Sequence, residues 1–64
     1  MDQYLIDALK ARYEAQMAEA NANVQVYLSN PAGIGEHPDI VAAIDTQVEI
    51  YANAKEKLGV IDEF

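Results

Sequence analysis

Between residues 2 and 28 the apolar side chains Ile6, Leu9, Tyr13, Met17, Ala20, Val24 and Tyr27 recur in steps of three and four, which is one face of an α-helix. No Pro or Gly interrupts this stretch, and Ala, Leu, Glu, Gln, Lys, Met and Arg dominate it, so propensity and pattern agree on a helix over residues 2–28. Asn30 precedes Pro31, whose ring disfavours helical geometry in the residue before it and which has no N–H to donate, so the helix should stop there. A second stripe, Ile40, Val41, Ile44, Val48, Tyr51 and Leu58, predicts a helix over residues 38–58. Pro38 suits its first position, where the missing N–H costs nothing. Asp39 and Glu36 suit the positive end of its dipole. Lys55 should lie along the stripe with its ammonium outward, and Gly59 should be the residue that ends the helix.

The linker, residues 29–37, is short, so the helices should fold back as an antiparallel pair. The expected fold is all-α, one helical hairpin with a tail over residues 59–64. Its register should bring Val24, Tyr27 and Leu28 near Ile40 and Val41, Met17 and Ala20 near Ile44, Tyr13 near Val48, and Leu9 near Tyr51. The tail should cover Tyr4 and Leu5 or reach a neighbouring chain. All four tyrosines should pack on apolar faces with their hydroxyls at the rim.

The first helix has a second apolar face. Tyr4, Ala8, Ala11, Ala15, Ala18, Ala22 and Val26 fall roughly opposite the stripe of large residues. Alanine is a good helix former and can stand in water, but small side chains also let another helix approach closely. A chain of 64 residues hides only about 60% of its unfolded surface on folding, and a lone hairpin shelters one face of each helix. Self-association into a homodimer or larger helix bundle is therefore expected, with Ala8, Ala11, Ala15, Ala18, Ala22, Ile50 and Phe64 as candidate interface residues.

Charge narrows the partners. Four basic residues against eleven acidic ones give a net charge of −7, which repels phosphate backbones and anionic headgroups, so neither nucleic acid nor membrane is an expected partner. No apolar run reaches the ~18 residues of a membrane span. With no cysteine there is no disulfide framework or thiolate site, and the absence of a leader pattern argues for a cytoplasmic or virion location.

The stretch LSNPAGIGEHPDI holds the chemistry-bearing residues that are left. Gly33 and Gly35 lack the rest of a phosphate-loop pattern and read as a turn, with Ile34 plugging the end of the helix pair. Glu36, His37 and Asp39 are the candidate divalent-metal ligands, although one imidazole and two carboxylates would need further ligands from a second subunit. Otherwise His37 caps the second helix or packs on a tyrosine. Lys10 with Glu14, and Asp45 with Glu49, read as solvated pairs. No nucleophile and base pairing emerges, so the chain is not expected to be an enzyme or to carry a cofactor.

The run NPAGIGEHPDIVAAIDTQVEIYANAKEKL, residues 30–58, together with NANVQVYL at residues 21–28, resembles a short helical protein type of marine T4-like phages, cyanophages among them. The resemblance implies a phage origin and synthesis in a bacterial host cytoplasm, and no particular activity. The expected function is a small acidic interaction or structural module that self-associates and binds a larger phage or host protein. The alternative is a ligand or metal site at a subunit interface.

Overall fold

The computed structural model describes residues 2–30 and 39–64, which form a rod with principal extents of 44 × 16 × 15 Å. Helix α1 spans Gln3–Ser29 and helix α2 spans Ile40–Val60, with a 3-10 turn over Ile61–Glu63. Asp2 caps α1, its carboxylate accepting from the Tyr4 N–H at 2.7 Å. Asp39 does the same for α2, accepting from the Ala42 N–H at 2.9 Å. Each carboxylate satisfies a backbone donor that the helix cannot. At the far end of α1 the Asn30 N–H still reaches the Val26 carbonyl at 2.8 Å.

The helices pack against each other in antiparallel register, forming an all-α hairpin. Asn23 Nδ2 donates to Gln47 Oε1 at 3.1 Å, the Lys57 ammonium lies 5.8 Å from the centre of the Tyr13 ring, and Lys10 pairs with Asp62 at 2.8 Å. The α1 stripe behaves as the sequence predicts: Ile6 and Ala20 are buried, and Leu9, Tyr13, Met17, Val24 and Tyr27 are half-buried.

Several expectations need correction. The register is displaced by one to two and a half turns: Tyr13 lies by Lys57 rather than Val48, and Val48 and Tyr51 wall one groove with Ala20 and Val24. The helices lie nearly level on either side of residues 31–38, Asn23 standing six residues from the end of α1 and Gln47 seven from the start of α2. The α2 stripe is also rotated. Val41 is 79% exposed, whereas Ala54 is only 2% exposed and Ala43 and Gln47 are half-buried. Angular position on the helix decides burial here, and side-chain bulk does not. Lys55 is exposed, and Lys57 takes the place over the apolar stripe expected of it.

Gly59 does not end the helix. Helix α2 passes through it to Val60 and tightens into the 3-10 turn, which brings the tail back onto α1 and buries Ile61. The tail leaves Tyr4 and Leu5 exposed, and Phe64 with them. Pro38, Ile34 and the two loop glycines lie outside the described residues, and α2 begins at Ile40.

Candidate functional site

The hairpin has two broad faces, divided by the line along which the helices touch, and they differ in chemistry. One carries a shallow groove of about 190 Å³ walled by Ala20, Asn21 and Val24 from α1 and Val48 and Tyr51 from α2. No charged side chain lines it. The other carries a hollow of about 150 Å³ lined by Gln16, Glu19, Ala20, Asn23, Gln47 and Ile50, where the Asn23–Gln47 hydrogen bond bridges the helices. Ala20 forms part of both floors because its methyl group lets the two backbones come close.

These walls follow from helical spacing. On α2, Val41, Ile44, Val48 and Tyr51 are separated by three, four and three residues, so they form a line just to one side of the stripe that packs on α1. Met17, Asn21, Val24 and Leu28 make the corresponding line on α1. The sequence reading merged the α2 line with the core stripe because both are apolar. The signal that separates them is that Ala43, Gln47 and Ala54 continue one line, and Val41 and Val48 the other.

The sequence-predicted interface residues divide between surfaces. Ala8, Ala11, Ala15, Ala18 and Ala22 are all exposed on the outer flank of α1, away from α2. Ile50 lies on the polar face, and Phe64 stands exposed beyond the 3-10 turn. They do not form one continuous patch with the groove. Among the described residues Tyr4 is the most exposed large apolar side chain, so the expectation of four packed tyrosines holds for Tyr13 and Tyr27 and fails for Tyr4, while Tyr51, 37% exposed, lies at the edge of the groove.

Of the candidate metal ligands, Glu36 and His37 lie outside the described residues. Asp39 is engaged as the α2 cap, with Oδ1 accepting from the Ala42 N–H. Among the described residues no three His, Asp or Glu side chains converge as a metal site. Lys10, read from the sequence as a solvated partner of Glu14, instead ties α1 to the tail through Asp62. That hydrogen bond is the chief reason the Lys10 ammonium is held above its ordinary value of 10.5; desolvation opposes it, and the charges of Asp62, Asp7 and Glu14 reinforce it. Among the described residues no helix is long and apolar enough to cross a membrane.

No protein-family model, curated protein or solved structure matches this chain.

Proposed function

We propose that this chain is an interaction module rather than an enzyme: a helical hairpin that associates with a second copy of itself and offers its remaining surface to a larger protein of phage or host. The supporting observation is how little a single copy buries. Its only fully buried apolar residues, among those described, are Ile6, Ala20, Ala54 and Ile61. One chain exposes 4791 Å². A compact monomer of this mass is expected to expose about 4,000 Å². Part of the described surface is apolar: Tyr4, Leu5, Leu28, Val41 and Phe64 are each more than half exposed. The alanine flank of α1 and Phe64 are the surfaces left for a further partner, and the resemblance to phage proteins supports placing that partner in a phage or its host.

Light scattering at micromolar concentration, together with thermal unfolding over a dilution series, tests this reading. A mass of about twice the 7.0 kDa of one chain is expected, with a melting temperature that rises with concentration because association is linked to folding. A monomeric mass with a melting temperature independent of concentration would overturn it.

A further inference from the structure

We propose that residues 60–64 form a strap that swings on Gly59 as one unit while the hairpin stays folded, so that the chain alternates between a closed form that covers Ile6 and an open form that presents it.

The register makes the tail a packing layer of its own. Asn23 lies opposite Gln47, and Tyr13 lies by Lys57, ten residues further along each helix, so Val60 at the end of α2 comes level with Lys10. The first two turns of α1, residues 3–9, therefore project beyond α2. The tail covers them. It is fastened there by Ile61, buried as Ile6 is, and by the Asp62 carboxylate, which meets the Lys10 ammonium at 2.8 Å. Asp62 itself is exposed, and an exposed ion pair adds little to the hold of one aliphatic side chain. Glu63 and Phe64 point into water.

Each side of this contact can stand without the other. On α1 the first turn has local support: the Asp2 carboxylate accepts from the Tyr4 N–H, and Gln3 Nε2 donates to Asp7 Oδ1 at 2.7 Å. These turns extend a helix already held by α2, so they need no nucleation of their own. On the other side, Gly59 sits in helical structure, and a Cβ built on it meets nothing within 4 Å. Neither close packing nor backbone geometry calls for glycine there. What glycine does supply is freedom on release, because it loses more conformational entropy in a helix than any other residue.

Opening at this point has a small, definite content. It breaks the Ile61 N–H bond to the Lys57 carbonyl and the Phe64 N–H bond to the Ile61 carbonyl, and it separates Lys10 from Asp62. The Asn23–Gln47 bond and the buried Ala20 and Ala54 lie elsewhere along the rod and stay as they are. The open form adds Ile6 to Tyr4 and Leu5, which are exposed already, and so enlarges the apolar surface at this end of α1. The strap holds whether or not the chain self-associates.

The test is native-state hydrogen exchange of the full chain, read by NMR over guanidinium concentrations below unfolding. The Ile61 and Phe64 amides should exchange through one shared opening, at least tenfold more populated than the opening that frees the Ala20 and Ala54 amides. Denaturant should scarcely promote it, because it bares little surface. Asn23→Ala, which weakens the hairpin away from the tail, should raise exchange at Ala20 and Ala54 about two- to tenfold and leave Ile61 and Phe64 unchanged. The chain has no cysteine, so an Ile6→Cys variant reports exposure of that position by thiol labelling. Its labelling rate should stay within about twofold when Asn23→Ala is added, with the Leu9 and Lys10 amides still protected. Equal opening at Ile61 and Ala54, or labelling at position 6 that rises with Asn23→Ala as the core amides do, would make the chain one cooperative unit and overturn the strap. Exchange at Phe64 far ahead of Ile61 would reduce the tail to a fraying end and overturn it too.

Discussion

Asn23 and Gln47 face each other across the hairpin, the Asn23 amide donating to the Gln47 carbonyl oxygen at 3.1 Å. Among the described residues this is the one side-chain hydrogen bond that joins α1 to α2, and it is partly buried. Removing one partner leaves the other without its bond in a place water reaches poorly. Asn23→Ala and Gln47→Ala should each cost about 0.5–1.5 kcal/mol in denaturant unfolding. In the double variant the losses should sum to less than the two singles, and strict additivity would show that the bond carries no coupling.

Gly59 offers a test of opposite sign. A residue ending the helix in left-handed geometry would resist replacement, but this glycine lies inside helical structure, and a Cβ built on it meets nothing within 4 Å. Gly59→Ala should stabilise the fold by about 0.5–1 kcal/mol, seen as a higher melting temperature. A loss of stability would restore the terminating role suggested by the sequence.

Ile6 and Ile61 are the two large side chains buried where the 3-10 turn meets α1. Ile61→Ala should destabilise by about 2–4 kcal/mol, within the range for truncating a buried aliphatic side chain. Phe64→Ala, three residues on and exposed, should change the unfolding midpoint little. Comparable losses from both would mean that the tail is packed by Phe64 instead.

The Lys10–Asp62 contact predicts a dependence on pH. The Lys10 ammonium is held above 10.5 in the folded chain, so its contribution is fully present below that value and is lost as pH climbs through the raised one. Amide exchange at residues 61–63 should therefore show more opening at strongly alkaline pH, beyond the intrinsic rise in exchange rate. Lys10→Met should remove this excess. Because the contact is solvent-exposed, molar salt should also weaken it.

The sequence reveals α1 far better than α2, for a physical reason. In α1 the bulky residues Leu9, Tyr13, Met17 and Val24 occupy the inward angle, and between them most outward positions are small or polar, with Tyr4, Leu5, Val26 and Leu28 the exceptions near the ends, so hydropathy and geometry largely coincide. In α2 they part: the most deeply buried residue is Ala54, Gln47 is half-buried, and Val41 projects into water. A reading that follows bulk selects Val41 and Val48 and passes over Ala43 and Ala54. Bulk also misleads on register, because it does not mark the inward angle of α2. The apolar groove is not legible for the same reason, because its α2 wall reads as core.

Ala20 and Ala54, one on each helix, are 1% and 2% exposed, and each occupies its site by being small. The spacing of the two rods is thus governed by a pair of methyl groups. A single added branch at position 54, one turn from Tyr51 but on the buried side of α2, would wedge the rods apart and change the width of the cleft they frame. What the hairpin can accommodate is adjustable from a site no visitor touches.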